Sequence, residues 1–168
     1  MNERIQTDRL LLSPITAAER DDMVAIFKDD CVKKTYMLPD LPTRADEDKV
    51  FWTFARLSCD ERRYVRGIFR DNKLIGWINE VHVQGSEIEL GYVIAPAEQN
   101  KGYATEALRA SIDALFARGC TAVIAGAFEE NPASMRVMEK AGMKKSERTE
   151  EIEYRGKKHK CVIYKIEK

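Results

Sequence analysis

The sequence predicts an α/β (α+β) fold in which a mixed, mostly antiparallel sheet is flanked by helices. Three observations predict it. Between Tyr64 and Ile94, β-favouring runs are separated by tight turns, which is the pattern of an antiparallel meander. After that, a strand-like run, a polar turn, a long amphipathic helix and a short apolar run follow in order, the signature of a parallel pair joined by a helix. The chain then closes on two strand-like arms around Arg155-Gly156-Lys157, a hairpin.

The elements justify themselves in turn. Leu10-Leu11-Leu12 before Ser13-Pro14 reads as a short buried strand. Thr16 is placed to cap a helix starting near Ala17, with Met23, Ile26 and Phe27 on its buried face. Pro39 and Pro42 interrupt the chain, and a second helix runs from about Asp46 to Leu57. Its stripe is Val50, Phe51, Phe54 and Leu57, and acids in its first turn suit the helix dipole. Tyr64 to Arg70 and Leu74 to Val83 flank the turn Asp71-Asn72. Ile88, Leu90 and Tyr92 alternate with Glu87, Glu89 and Gly91, a period of two. A helix from about Gly102 to Arg118 buries Ala104, Ala107, Leu108, Ile112, Leu115 and Phe116, and Gly119 closes it. Thr121 to Phe128 is a short buried strand. Asn131-Pro132 opens the next helix as cap and first residue, and Gly142 ends it. The last hairpin pairs Lys144–Tyr154 with Lys160–Ile166.

A length of 168 residues suits one domain, 1–168, with one core. Apolar residues make up 44% and charged residues 33%, and 28 basic side chains balance 28 acidic ones. That balance argues against nucleic-acid binding. No run approaches the ~20 apolar residues of a membrane span. Met1 to Arg9 lacks the apolar centre of a secretion signal, so a cytoplasmic protein is expected. Cys31, Cys59, Cys120 and Cys161 are mutually distant in sequence, and His82 and His159 form no ligand pattern with them. They read as free thiols, with no metal site. Trp52 and Trp77 read as core or pocket wall. The lysines near the last hairpin, interleaved with glutamates, read as a solvated face.

The most informative stretch is Gln99-Asn100-Lys101-Gly102-Tyr103-Ala104. A polar turn opening a helix gathers free N–H groups into an anion site. Gly102 admits close approach of backbone to ligand, Ala104 adds little bulk and Lys101 adds charge. A Walker loop fails because Lys101 precedes the turn's single glycine. A dinucleotide fingerprint fails because it needs three spaced glycines.

Gln99-x-x-Gly102-x-Ala104 resembles the acyl-CoA pyrophosphate loop of the GNAT N-acetyltransferase superfamily. Thr7-Asp8-Arg9-Leu10-Leu11-Leu12 resembles the opening strand of its RimJ/RimL-like branch. Glu89-Leu90-Gly91-Tyr92-Val93-Ile94 is similar to that branch's central strand. Asn131-Pro132-x-Ser134 followed by Glu139-Lys140-x-Gly142 is similar to its next helix. The resemblance implies two central strands, Glu87–Ala95 and Thr121–Phe128, that splay to hold acetyl-CoA. It implies contacts to that cosubstrate from Tyr92, Val93, Ile94, Gln99, Asn100, Lys101, Gly102, Tyr103, Ala104, Thr105, Asn131 and Ser134.

Direct acetyl transfer to an amine needs oxyanion donors, a base and a route for the thiolate. The resemblance assigns the donors to a bulged strand at Tyr92-Val93-Ile94. A lysine-type amine, with a pKa of ~10.4, arrives charged. Glu89 is the first candidate base and Glu80, on the neighbouring strand, the second. The Tyr that many relatives place on the following helix falls here at Met138, which cannot donate a proton. Ser134, one turn earlier on the same face, is the candidate partner of the departing sulfur. The acceptor is expected to be a primary amine, a protein or peptide α-amine by the resemblance. A small amine such as a polyamine, amino acid or drug is the alternative. A non-catalytic acyl-CoA-binding regulatory module is the competing class. The amine pocket is expected from Ala17–Cys59 and the last hairpin, with Asp29, Asp30, Asp46, Glu47 and Asp48 as possible cation-favouring groups. Either a monomer or a homodimer fits.

Overall fold

A computed structural model describes residues 4–168. Met1–Glu3, part of the polar amino terminus, lie outside the described residues. Among the described residues the strands are β1 (Ile5–Gln6), β2 (Leu11–Ser13), β3 (Val65–Arg70), β4 (Lys73–Gln84), β5 (Glu87–Ile94), β6 (Ala122–Phe128), β7 (Lys144–Tyr154) and β8 (Lys157–Glu167). The helices are α1 (Arg20–Lys28), α2 (Asp30–Thr35), α3 (Arg44–Cys59), α4 (Tyr103–Ala117) and α5 (Pro132–Lys140). The sheet order is β1-β2-β3-β4-β5-β6-β8-β7, and every neighbouring pair is antiparallel except β5 and β6. The expected mixed, mostly antiparallel sheet is therefore what forms.

Local chemistry sets the element ends. Thr16 and Glu19 form a capping box on the short 3-10 turn that leads into α1. Thr43 and Asp46 do the same for α3, which starts two residues earlier than expected from the acids alone. Asp71 and Asn72 both have positive φ, as a tight two-residue hairpin turn requires. The turns after α4 and α5 use Gly119 and Gly142 in the left-handed region. Two short elements, β1 and α2, go beyond the sequence reading. Asp29 creates α2 by accepting from the N–H groups of Cys31 and Val32.

The sheet separates two apolar layers. On one face α4 and α5 pack Leu108, Ile112, Leu115 and Met138 against Ile88, Leu90, Val123 and Ala125. On the other, α1, α2 and α3 pack Phe27, Val32 and Phe51 against Leu74, Trp77 and Val93. Trp77 is fully buried, as expected, whereas Trp52 is 54% exposed on α3 and belongs to neither core nor pocket. The acids expected as cation-favouring groups have partners within the chain, in keeping with the helix-end reading that the sequence equally allows. Asp29 caps α2, Asp46 caps α3, and Glu47 and Asp48 pair with Arg20. Asp30 lies 3.7 Å from Lys33.

Gly76 is the residue that lets β4 and β5 approach. A Cβ there would lie 2.1 Å from the Val93 carbonyl oxygen, against backbone that cannot swing away. The close approach seats the part of β5 that borders the cleft described next.

Candidate active site

β5 and β6 pair only at their beginnings, from Glu87↔Ala122 to Leu90↔Ala125. Beyond Leu90 they part, while β5 stays paired with β4 as far as Ile94↔Gly76. This is the expected splay. It opens a cleft of about 350 Å³ lined by β5, the turn into α4, β6, α5 and α2.

The ladder shows which backbone groups face the opening. Ala95 N–H donates to the Ile75 carbonyl, and on the other side Thr121 N–H donates to the Ser86 carbonyl. Alternation along β5 then turns the N–H groups of Gly91 and Val93 toward β4, and those of Tyr92 and Ile94 toward the gap. The expected bulge within Tyr92–Ile94 is not there. The register shift lies on β4, between Glu80 and His82, and the Tyr92–Ile94 donors are exposed because β6 leaves them. Val93 therefore lines the cleft, but its N–H belongs to the β4 ladder.

The turn into α4 supplies the second set of donors. Asn100 and Gly102 both have positive φ, and Gly102 is the N-cap of α4 without any side-chain cap. The helices α3 and α5 both carry side-chain caps, from Thr43 and Asn131. The first N–H groups of α4 are thus left for a ligand. Gln99 donates its side-chain amide to the Ile94 carbonyl, tying the turn to the end of β5. Arg9 donates to the Lys101 carbonyl and pairs with Glu106 in the first turn of α4. Burial works against the Glu106 charge, but the Thr7 hydroxyl and Arg9 outweigh it and hold its pKa below the usual carboxylate range. These contacts give Thr7 and Arg9 a physical job: they brace the turn from outside.

The predicted cradle residues Gln99, Asn100, Gly102, Tyr103, Ala104 and Thr105 all line the cleft. Lys101 is not among the lining residues: its ammonium bonds the Ala97 carbonyl and Glu98, which does line the cleft. The cations that do line it are Arg136 and Lys140 of α5, which sequence reasoning missed. Their spacing of i, i+4 from a capped Asn131-Pro132 start was the available signal.

Asn131 and Ser134 also line the cleft. The Asn131 side-chain oxygen accepts from Ser134 N–H at 3.3 Å, fulfilling its capping role. The Ser134 hydroxyl lies 2.8 Å from the Tyr92 hydroxyl. Met138 is fully buried in the core and takes no part.

The two candidate bases separate onto opposite faces of the sheet. Glu80 shares the face of Leu90. Its side chain is buried, 2.5 Å from Arg63 and accepting from Tyr64 N–H. It does not line the cleft, and its carboxylate is taken up by Arg63 and the Tyr64 N–H, which tie it into the β3–β4 framework. Glu89 does not line the cleft either; it lies on the face of Gly91 and Val93, next in sequence to Leu90, which does. Burial raises its pKa, Glu150 raises it further, and His82 and Arg148 partly oppose this. From α2, Val32, Thr35 and Tyr36 wall the cleft on that same side. The last hairpin does not line the cleft, but Tyr154 donates to the Lys33 carbonyl at 2.7 Å and so holds that wall.

A parted parallel pair with inward backbone donors, an uncapped helix start and two flanking cations suits an enzyme that grips a long, polyanionic acyl carrier through the sheet. The family model described as acetyltransferase (GNAT) domain matches residues 9–144. The chain belongs to this GNAT family and is an acetyl-CoA-dependent N-acetyltransferase. An uncharacterized N-acetyltransferase of Bacillus subtilis, YoaA, is 32% identical over 146 residues, covering 84% of this chain and 82% of the relative. The crystal structure of a GNAT-family acetyltransferase from Bacillus anthracis superposes with a TM-score of 0.84 at 26% identity, covering 98% of both chains. RimL, a ribosomal L7/L12 α-N-protein acetyltransferase solved with coenzyme A, has a TM-score of 0.87 at 16% identity, again with 98% coverage of both chains, and shares the fold.

Proposed function

We propose that the chain transfers acetyl from acetyl-CoA to a primary amine by direct attack across the β5–β6 gap, and that the amine is a peptide or protein α-amine. The observation that carries the reading is the division of chemistry between the two faces of the sheet at that gap. Glu89 stands on the face walled by α2, where an acceptor can enter. Ser134 stands on the face of α4 and α5, where the thiol arm can lie.

In this reading the α4 start and the cations Arg136 and Lys140 hold the phosphates. The Tyr92 and Ile94 N–H groups stabilise the oxygen that gains charge. Glu89, with its raised pKa, takes the proton from the attacking ammonium, directly or through water. Ser134 steadies the departing sulfur. The α-amine choice is supported by the RimJ/RimL resemblance and by RimL itself, a structural neighbour that is a ribosomal α-N-protein acetyltransferase. It is also the easier acceptor, since an α-amine has a pKa of ~7.7–8.0 and a modest base suffices.

At a CoA concentration of about a hundred times Kd, binding is expected to stabilise the protein by about 2.7 kcal/mol. For a chain of this length that is a Tm rise of roughly 5–10 °C. A panel of amines, including peptides with varied first residues, is then tested for thiol release from acetyl-CoA. CoA binding with no amine-dependent release across the panel would sink the α-amine assignment and favour a binding module. Release with polyamines or free amino acids alone would move the acceptor to the small-amine class.

The cation assignment has its own test. Arg136→Ala together with Lys140→Ala is expected to weaken CoA binding about tenfold or more, with a shallower salt dependence than the parent protein. Lys101→Ala is expected to leave Kd within about twofold, because its ammonium is engaged with Glu98 on the exposed surface. The reverse order would return the phosphate role to Lys101.

A further inference from the structure

We propose that Tyr92 is a positioning residue for the leaving group, holding the Ser134 hydroxyl so that its proton faces the sulfur of CoA. The inference rests on the reading that the β5–β6 gap takes acetyl-CoA.

Three phenols line the cleft: Tyr36, Tyr92 and Tyr103. Tyr36 donates to the Asn79 side-chain oxygen at 2.6 Å and accepts from the Trp77 indole, so its hydroxyl is committed on the α2 side. Tyr103 has its ring under the guanidinium groups of Arg9 and Arg70, 4.7 and 5.4 Å from the ring centre, and serves the base of the cradle. Tyr92 alone among them reaches α5. Its hydroxyl lies 2.8 Å from Ser134 Oγ and 3.2 Å from the Ser134 carbonyl oxygen.

A serine hydroxyl has a single proton, and two arrangements compete for it. Tyr92 can donate to the Ser134 carbonyl, leaving the serine proton to point back at the phenol. Alternatively, Tyr92 donates to Ser134 Oγ, and the serine proton is free to turn into the cleft. A sulfur that gains negative charge selects the second arrangement, because a hydrogen bond to an anion is stronger than one to a phenol. Burial keeps Tyr92 protonated, with its pKa pushed up to about 12, so it is a donor throughout the neutral range.

The step balances without any proton leaving either hydroxyl. The ammonium first gives one proton to Glu89, which frees the nitrogen lone pair. The amine nitrogen then forms its bond to the acetyl carbon, and the C–S bond breaks with its electron pair going to sulfur. The nitrogen, now positively charged, loses its second surplus proton to solvent, and Glu89 later releases its own there. The thiolate leaves with a hydrogen bond from Ser134 and takes its proton from solvent. Tyr92 thus fills from β5 the space of function that Met138 leaves open on α5.

The test needs no acceptor. The pKa of the CoA thiol is measured in its complex with the protein from thiolate absorbance against pH, with the desulfo-CoA complex as the blank. Tyr92→Phe and Ser134→Ala are each expected to raise the bound thiol pKa by about one unit, a tenfold loss of thiolate preference. The double variant is expected to match the single variants, because the two hydroxyls act as one unit. Unchanged pKa in Tyr92→Phe, or additive shifts in the double variant, would overturn the proposal. Unchanged pKa in Ser134→Ala overturns it independently of how well Tyr92→Phe folds. A parent protein that fails to bind CoA instead removes the underlying reading of the cleft, an outcome seen before any variant is made.

Discussion

Glu89→Gln is expected to lower kcat/KM for an identified amine by about 10²–10³ at neutral pH, the usual contribution of a positioned base. It should also make the protein more stable there, so activity and stability move in opposite directions. Burial is the main cause of the raised Glu89 pKa, with Glu150 adding to it. A carboxyl whose folded pKa lies above its unfolded value binds its proton more tightly in the folded state. Its stabilising contribution is complete below the unfolded pKa, about 4.3, and is lost as pH rises through the raised folded value. At neutral pH the parent protein therefore carries a half-buried charge that Gln removes. Activity runs the other way, because a base works only when ionised: the acidic limb of the rate profile follows the raised pKa, and Glu89→Gln removes that limb. The checks are a pH–rate profile and thermal unfolding at two pH values. Loss of both activity and stability at neutral pH would mark Glu89 as structural, and full activity across pH would remove it as the base.

Gly76→Ala is expected to cost about 3 kcal/mol, near the upper end of what overpacking one methyl group does in a tight interior. For this length that is a Tm drop of roughly 10 °C. The new Cβ would start 2.1 Å from the Val93 carbonyl oxygen, and relief requires β4 and β5 to move apart. The strand that moves carries the Tyr92 and Ile94 donors, so CoA affinity should fall with stability. Thermal unfolding and CoA titration measure the two. Parent-like stability in Gly76→Ala would mean that β5 is free to shift, and that its position does not set the site.

Much of the architecture was legible because it rests on local rules. The period of two in Glu87–Tyr92, the Asp71-Asn72 turn and the Asn131-Pro132 cap each act within a few residues. The cradle at Gln99–Thr105 was legible for the same reason, since an αL glycine at a helix start is a local feature. What the sequence hid depends on distant partners. Glu80 read as a candidate base until Arg63 and Tyr64, brought beside it by the β3–β4 register, engaged its carboxylate. Lys101 read as a phosphate ligand because Glu98, three residues earlier, does not announce which way the ammonium will turn. The Tyr92–Ser134 pair spans 42 positions and joins a strand to a helix, so no spacing rule could point to it. Short α2 was missed because its six residues carry no apolar repeat, only the Asp29 cap.

The clasp of Tyr154 on the α2 wall has a consequence for how such an enzyme changes its choice of substrate. The Tyr154 hydroxyl donates to the Lys33 carbonyl, and Arg155 pairs with Asp40 while also reaching the Leu38 carbonyl. Segments more than a hundred residues apart in sequence therefore form one mechanical part. Grafting residues 29–42 from a relative onto this chain would import a wall without its latch. If the α2 wall meets the acceptor as proposed, a transplant is expected to carry specificity only when the tip of the β7–β8 hairpin travels with it.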